Sequence, residues 1–597
     1  MGRWIFVLML AALVAAAYLV ERREARSNAA GELSASSYGT ATPAATRFAR
    51  LVDDYLDAWA KRHPSIAAGN GIHQHDGELE DYSATGVATE VEWLRSIKQR
   101  LAGLPRSDLP PDERVDHKIL DGVVDGWLLE LDGIKNHTRN PMLYASAIAD
   151  GVHNLMTMES AGAETRMRRV TSKLRGVPRL LDAARINLTN PPRVLVERGI
   201  SMFQGASAML GDDLAQAFPG PRGETWNTMF VEAKAARATI EAFTAWMKTE
   251  LLPRASGTNA LGKEYVEARY RAEELIDLPV ADLLAIGVRE LAREQAMFRE
   301  KAKDVDPSKD ALAVWREVRQ DHAKPGELVA AAQAAVDELQ RFVTEQDLAA
   351  IPSGERVIVE ASRPFDLGLA SMHASPPLEP TPVKSIYYVT DANAAWPLER
   401  QNAWLERFNR ASLAITSAHE AMPGHFVHSL YMRDTPGKIR RIWIGLNPFP
   451  QPSSGQDGWA HYAEHLVVEQ GFHKDDPRYA LAQLSESMTR ICRLIAGLYT
   501  HMGVWSVDDA AKFFEEQAYV PAQAARQEAV RVVYDPTNGG YFLGKHAMFK
   551  LRDDVRVKEG SAFGLRSFHE RVMRNGIAPW WAHRVLILGD SSARVVE

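Results

Sequence analysis

The sequence has one cysteine, Cys492, among its 597 residues. A single thiol excludes an intrachain disulfide and a zinc site built from cysteines. The chain also lacks a Gly-x-Ser-x-Gly nucleophile elbow, which counts against a serine hydrolase of that type. No long Lys/Arg block occurs and the formal net charge is only −7, so we expect no nucleic-acid partner.

One long apolar run is present, at the N-terminus. Trp4 to Val20 form 17 apolar residues, preceded by Arg3 and followed by charged residues. Residues 1–26 are therefore interpreted as a signal peptide or a signal anchor, and residues 27–46 as a flexible Ala/Ser/Gly-rich linker. We expect an exported protein of the cell envelope or periplasm. It is either soluble after cleavage or held at the membrane by this segment alone. No cysteine follows the run, which argues against a lipid anchor.

The remaining residues, 47–597, show helical periodicity nearly everywhere. Phe48, Leu51, Tyr55 and Trp59 recur at three- and four-residue steps, as one buried helix face requires. Similar stripes run through Trp93–Leu104, Ile119–Ile134, Val231–Leu252, Leu283–Lys301 and Leu328–Leu348. No repeat of fixed period is visible, which argues against a solenoid. The sequence predicts a mostly α-helical fold.

Two short β-prone runs interrupt this pattern, Arg356–Glu360 and Ser385–Thr390. They predict a small antiparallel β-sheet just before the His-rich region described next. An edge strand there either pairs with an extended substrate backbone or serves only as a structural hairpin.

The main chemical motif is His419-Glu420-Ala421-Met422-Pro423-Gly424-His425. Metal-binding histidines in H-E-x-x-H lie four residues apart on one helix face. Here the spacing is six, which separates the rings by roughly 240° on a straight helix, at about 100° per residue. Proline and glycine between them can break the helix and turn His425 toward His419.

A second motif follows at Asp457-Gly458-Trp459-Ala460-His461-Tyr462-Ala463-Glu464. Asp457, His461 and Glu464 fall on one helix face. They form either a solvated surface or the source of an anionic metal ligand with its supporting groups.

These two motifs resemble the bacterial family called domain of unknown function 885, whose signatures are H-E-x-x-P-G-H-x-x-Q and E-G-W-A-x-Y-x-E. The similarity extends to Arg490–Leu494, Glu528 with Arg531, Pro536–Lys545 and Phe568–Glu570. It covers nearly all of the chain after the linker. The family is itself distantly similar to the helical zinc peptidases, such as angiotensin-converting enzyme.

The resemblance implies a two-lobed helical metallopeptidase-like fold with a central channel. The metal site lies in 419–464 and a substrate-channel half in 480–597. It also implies Zn²⁺ held by His419 and His425, with Glu420 as the general base. The third ligand is either Glu464, slightly favoured for its longer reach, or Asp457, which stands where the family has glutamate. His461 and His428 are expected as supporting groups, His428 in place of the family's glutamine.

Further roles follow from the resemblance as hypotheses. Tyr541 and His501 match the tyrosine and histidine that stabilise the carbonyl oxygen in the related peptidases. Arg493, Arg531 and Lys545 are candidates for binding a substrate carboxylate, with Arg490 as a fourth, although structural salt bridges are the commoner fate of such residues.

The predicted function is therefore zinc-dependent hydrolysis of short peptides or related amides. Manganese or iron would suit the ligand types less well. The first alternative is a metal-binding but catalytically inactive envelope protein, suggested by the departures at Asp457 and His428. A serine or cysteine hydrolase is the second, and activity insensitive to a chelator would favour it.

Overall fold

The computed structural model describes residues 42–220, 222–352, 354–362, 369–442, 453–592 and 595–596. The predicted signal segment, 1–26, and most of the linker lie outside these residues. The end of the linker is helical, because the first helix begins at Pro43. Within the described part of the chain, no helix has the length and apolarity needed to cross a membrane.

The first half of the described chain is entirely helical. Its helices are α1 Pro43–Arg62, α2 Pro64–Gly69, α3 Ala84–Ala102, α4 Pro111–Leu128, α5 Asn136–Arg139, α6 Met142–Thr157, α7 Ala163–Arg175, α8 Val177–Asn187, α9 Arg193–Met209, α10 Asp212–Ala217, α11 Glu224–Trp246, α12 Leu252–Arg254, α13 Lys263–Glu273, α14 Val280–Val305, α15 Ala311–Val318 and α16 Leu328–Glu345. Two π-helical turns, Leu129–Ile134 and Met247–Leu251, extend α4 and α11.

A short sheet and then further helices complete the chain. They are β1 Val357–Ala361, β2 Ala370–His373, β3 Ser385–Val389, α17 Leu398–Leu405, α18 Arg410–Glu420, α19 His425–Met432, α20 Lys438–Arg441, α21 Ser453–Glu469, α22 Pro477–His501, α23 Val507–Gln517, α24 Ala522–Tyr534, α25 Gly540–Glu559, α26 Leu565–Arg574 and α27 Trp580–Leu588. Short 3₁₀ turns occur at Arg106–Asp108, Glu406–Phe408 and Gly560–Ala562.

Helix α1 illustrates how sequence determines these elements. The Thr42 hydroxyl accepts a hydrogen bond from the Ala45 amide and caps the helix N-terminus. Phe48, Leu51, Tyr55 and Trp59 are buried, as the periodicity predicted. Buried apolar residues form one continuous cluster from α1 to the C-terminus, and the mostly helical fold is confirmed. The division into two lobes with a central channel stays a prediction.

The sheet differs from the prediction. Its two expected strands, β1 and β3, pair in parallel rather than antiparallel, from Val357 beside Ser385 to Ala361 beside Val389. The unpredicted β2 pairs antiparallel with the other edge of β3, giving the order β1-β3-β2. Because β3 is central, all five of its residues are buried, whereas β2 is an edge strand of half-buried residues. The sheet is therefore mixed.

The apolar stripe before His419 is also divided between two helices. Trp404, Phe408, Ala411 and Ile415 recur at three- and four-residue steps up to His419, a pattern typical of one helix, but α17 ends at Leu405 and a 3₁₀ turn follows. Asn409 then caps α18, its side chain accepting a hydrogen bond from the Ser412 amide. This cap outweighs the periodicity and sets the direction in which α18 carries His419.

Helices α21 and α25 cross with their backbones in contact. A Cβ on Gly458 would come within 2.5 Å of the Gly544 Cα, and a Cβ on Gly544 would overlap the carbonyl oxygen of Ser454. Glycine at both positions allows this close approach. The crossing fixes Asp457, next to Gly458, relative to Tyr541 in the first turn of α25.

Candidate metal centre

The chain turns sharply between His419 and His425. Helix α18 ends at Glu420 and α19 begins at His425, so Met422, Pro423 and Gly424 lie outside both helices. A Cβ on Gly424 would overlap the carbonyl oxygen of His419, so only glycine fits here. The two imidazole rings lie 4.7 Å apart, centre to centre, with their planes at 88°. The break therefore brings together two rings that a straight helix would separate.

Asp457 completes a cluster with the two histidines. Its Oδ1 lies 3.4 Å from Nε2 of His425 and 3.7 Å from Nε2 of His419. One ligand atom from each of the three residues lies within 4.8 Å of the other two. Ligands about 2.0–2.2 Å from a tetrahedral zinc ion lie about 3.3 Å from one another, so this donor set suits Zn²⁺.

The charges at this cluster are strongly coupled. Burial alone would raise the pKa of the Asp457 carboxyl, but hydrogen bonds and charge from His419 and His425 hold that pKa well below its usual range. Burial opposes charge on His419 as well, yet Asp457 and Glu464 raise the pKa of His419 to about 9. The cluster thus holds protons that a bound cation would displace.

Glu464 lies on the opposite nitrogen of His419. Its Oε1 accepts a hydrogen bond from Nδ1 of His419 at 2.7 Å, while Nη2 of Arg490 donates to the same oxygen at 2.7 Å. The carboxylate is fully buried. Its contact with Nδ1 fixes the tautomer of His419 and leaves Nε2 directed at Asp457.

A buried polar chain supports Glu464 from behind. Nδ1 of His461 lies 3.0 Å from Oε2 of Glu464, and Nε2 of His461 lies 3.4 Å from the Ser487 hydroxyl. Nζ of Lys545 donates to that hydroxyl at 2.7 Å and to Glu294 at 3.2 Å. Burial, reinforced by Lys545, lowers the pKa of His461 far below its usual value, so the ring is neutral and donates to Glu464. The motif at 457–464 gave no indication that Ser487 takes part.

Glu420 follows His419 directly at the end of α18. It is 8% exposed, and its carboxylate accepts no hydrogen bond from the residues that the structure describes. Its charge contributes to the raised pKa of His419. A buried carboxylate without donors next to a metal cluster is well suited to accept a proton.

Tyr541 borders the cluster from α25. Its ring stacks on that of His419, with 6.5 Å between centres and 10° between planes. Its hydroxyl accepts a hydrogen bond from Nη2 of Arg531 at 2.8 Å. Burial raises the pKa of Tyr541, which keeps the phenol protonated.

His501 lies elsewhere. It is eleven residues beyond Arg490 on α22, about 16 Å along the axis at 1.5 Å per residue. Its Nε2 donates to the Val532 carbonyl at 2.8 Å, and burial lowers the pKa of His501 to about 3. The structure does not bring the predicted His501 to the cluster of His419, His425 and Asp457.

Two other predicted residues, Arg493 and His428, already have hydrogen-bond partners in the protein. Arg493 forms a two-pronged ion pair with Glu528, at 2.6 and 2.9 Å. His428 is buried, and its Nε2 donates to the Gly576 carbonyl at 3.3 Å. Burial, helped by the charge of His425, lowers the pKa of His428 to about 4.

A cavity of about 180 Å³ opens beside His425. His428, Met372 and His373 line it, the last two from the edge strand β2. The cluster therefore borders a cavity that is large enough for one amino-acid side chain. Sequence reasoning missed these strand residues because β2 lacks the β-branched and aromatic residues that indicate strands.

Two solved structures share this fold. A candidate lipoprotein of unknown function from Shewanella oneidensis has a TM-score of 0.73 and 20% sequence identity, covering 91% of this chain and 99% of its own. A candidate lipoprotein from Colwellia psychrerythraea has a TM-score of 0.74 and 17% identity, with the same coverage. A search of curated proteins finds no match.

The motifs at 419–428 and 457–464 thus lie in a fold that occurs in other bacterial proteins. A family model described as a bacterial protein of unknown function, DUF885, matches residues 64–581. The chain belongs to this family.

Proposed function

We propose that this protein is a metal-dependent hydrolase, a zinc peptidase that cleaves short peptides or related amides. The observation that carries the proposal is the convergence of His419, His425 and Asp457 within 4.8 Å, beside a buried Glu420. A water-accessible set of two imidazoles and one carboxylate is the ligand pattern of hydrolytic zinc sites.

Asp457 is the third ligand in this proposal. Its Oδ1 lies near Nε2 of both histidines, whereas Glu464 contacts Nδ1 of His419 and is occupied by Arg490. Glu464 therefore acts as the carboxylate that orients a ligand histidine. The longer side chain of glutamate at 464 favoured it from sequence, and the distances favour Asp457.

The chain's own groups then divide the reaction. A bound zinc ion would polarise the scissile carbonyl and make water more acidic. Glu420 takes a proton from the attacking water, whose oxygen forms the new C–O bond, and passes it to the nitrogen as the C–N bond breaks. The Tyr541 hydroxyl accepts from Arg531, so its own proton is available to the developing oxyanion.

The test is Glu420→Gln in zinc-loaded protein. We expect metal content to stay at the wild-type level, while hydrolysis of a short-peptide library falls by at least about a thousandfold, because the variant lacks a proton acceptor. An active Glu420→Gln protein contradicts the assignment of the base. Zinc bound at full occupancy by a wild-type protein that cleaves nothing would support the inactive metal-binding alternative.

We also propose that the protein is exported. The apolar run from Trp4 to Val20 supports this, as does the description of both structural neighbours as candidate lipoproteins. Fractionation of cells that express the full chain tests it, since a signal peptide or anchor leads to envelope fractions.

A further inference from the structure

Not every arginine next to the cluster of His419, His425 and Asp457 has a carboxylate of its own at ion-pair distance. Arg490 is paired twice, with Glu464 and with Glu486 at 2.7 Å. Three other guanidinium groups, those of Arg407, Arg493 and Arg531, surround a single carboxylate, while Glu486 and Asp535 act on Arg407 and Arg531 from beyond the 4.0 Å of an ion pair.

That carboxylate is Glu528. Although burial opposes its charge, Arg493, Arg531 and Arg407 together lower the pKa of Glu528 to about 2. Arg493 takes both of its oxygens. Arg407 donates instead to the amide oxygen of Gln527, at 2.8 Å. At ion-pair distance these three half-buried or buried guanidinium groups thus have fewer carboxylates than positive charges, which favours an incoming anion.

Arg531 lies over the ring of Tyr541, with its guanidinium carbon 5.5 Å from the ring centre, as does Arg493 at 5.3 Å. Nη2 of Arg531 donates to the Tyr541 hydroxyl, and its buried Nε has no hydrogen-bond partner. Among the residues that the structure describes, no carboxylate lies within 4.0 Å of its guanidinium group. A half-buried guanidinium group with no carboxylate at ion-pair distance is able to pair with the carboxylate of a ligand.

The other predicted carboxylate binders already have partners. Lys545 is held by Glu294 and Ser487, and Arg493 is saturated by Glu528. The charge distribution thus selects Arg531 from the three candidates.

The position of Arg531 relative to the cluster limits what it can bind. Tyr541 lies between them, 6.5 Å from the His419 ring and 5.5 Å from the Arg531 guanidinium carbon. The guanidinium group is therefore within about 12 Å of the His419 ring, a span that one to three extended residues cover at about 3.5 Å each.

We propose that Arg531 binds the free C-terminal carboxylate of the substrate, so that the enzyme removes one to three residues from the C-terminal end. This rests on the proposed hydrolytic function and adds its direction. Arginine suits the task because its planar fork matches the two carboxylate oxygens.

The first test compares matched peptides that end in a free carboxylate or in an amide. We expect kcat/KM to be about ten- to a hundredfold higher for the free acid, the range of one charge-assisted pair. Arg531→Gln should bring the acid-to-amide ratio close to one, and Arg531→Lys should restore part of it. Arg526→Gln is the matched control on the same helix, since Arg526 is exposed and pairs with Asp508. Equal rates for acid and amide in wild-type protein overturn the proposal.

A binding measurement separates this inference from the proposed function. Zinc-loaded Glu420→Gln protein is titrated calorimetrically with the same acid and amide peptides. Tighter binding of the acid peptide that is lost in the Glu420→Gln/Arg531→Gln double variant supports binding of the terminal carboxylate by Arg531. This holds even if the wild-type protein hydrolyses neither peptide. Equal binding of the acid and amide peptides refutes the proposed role of Arg531, even if the wild-type protein hydrolyses peptides.

An amidated peptide with Glu in its last position, compared with one carrying Gln, identifies the source of the carboxylate. If the amidated Glu peptide is preferred over the amidated Gln peptide as strongly as a free acid is preferred over an amide, Arg531 binds acidic side chains. That result contradicts cleavage specific for the C-terminal end.

Discussion

Oε1 of Glu464 lies 2.7 Å from Nδ1 of His419, on the side of the ring opposite Asp457. One imidazole therefore contacts two carboxylates, one through each nitrogen. Glu464 fixes the orientation of the ring, and Asp457 lies near Nε2, the nitrogen that would bind the metal in the proposed site. Ligand histidines in metalloenzymes commonly have this second partner.

The two carboxylates should contribute differently to metal affinity. Asp457→Asn removes a charged ligand, so we expect zinc affinity to fall by more than about a hundredfold, whereas Glu464→Gln should cost about ten- to a hundredfold. Competition with a chromogenic chelator measures both. Asp475→Asn, at an exposed position, serves as the control. A larger loss in Glu464→Gln would reverse the two assignments.

Metal binding should stabilise the fold, because the three proposed ligands come from α18, α19 and α21. Zinc at a hundredfold excess over its dissociation constant adds about 2.7 kcal/mol to the free energy of unfolding. For a chain of this size we expect the midpoint of thermal unfolding to rise by roughly 2 °C. His419→Ala should abolish this rise in the unfolding midpoint. His75→Ala should retain it, because His75 lies in the loop before α3, far from the proposed ligands in sequence. No shift in the wild-type protein would contradict metal binding at this site.

Gly424→Ala should damage both stability and the metal centre. The added methyl group would overlap the carbonyl oxygen of His419, which is backbone and cannot move without shifting α18. We expect a loss of about 2–4 kcal/mol in denaturant unfolding, together with a fall in zinc content. Gly162→Ala is the control, since no atom lies within 4 Å of a Cβ at that position. Equal effects of the two substitutions would show that the turn tolerates a side chain.

His73 should make stability depend on pH. It pairs with Asp76 at 2.9 Å and with Glu379 at 2.7 Å. Burial opposes its charge, but the two carboxylates raise the pKa of His73 above its usual value. This contribution is complete below the unfolded-state pKa, about 6.5, and is lost as pH rises through the folded-state pKa.

The difference in unfolding free energy between wild type and His73→Gln should therefore be largest at pH 6 and shrink toward pH 9. Denaturant titrations at several pH values measure it. Gln74→Ala, an exposed neighbour without a titrating group, should give a constant difference. A difference that grows with pH would contradict the assignment.

Local sequence was enough to predict the two histidines and the break between them. The six-residue spacing with Pro423 and Gly424 excludes a straight helix, and no tertiary information is needed to see this. The helical face of Asp457, His461 and Glu464 was equally visible from periodicity.

Sequence could not decide between Asp457 and Glu464. The two residues share a helix face, and seven residues separate them by about 10 Å along the axis. Which one meets Nε2 depends on how α21 sits against α18. That placement comes from tertiary contacts, such as the hydrogen bond from the Trp459 indole to the Pro423 carbonyl at 3.0 Å.

For the same reason, local sequence patterns could not predict the pairing of the strands or the location of His501. Parallel pairing of β1 with β3 depends on the route of the chain between them, which passes through β2 on the far edge. His501 matched a motif by order along the chain, but the length of α22 carries it away from the cluster.

The contact between Gly458 and Gly544 has a consequence for product size. With no side chains between the two backbones, the helix that carries Asp457 and the helix that carries Tyr541 have little freedom to slide past each other. In the proposed enzyme, the distance between the cleaved bond and the Arg531 guanidinium group, which is hydrogen-bonded to Tyr541 on the second of these helices, is then constant. Fragments released from many different peptides should accordingly share one length.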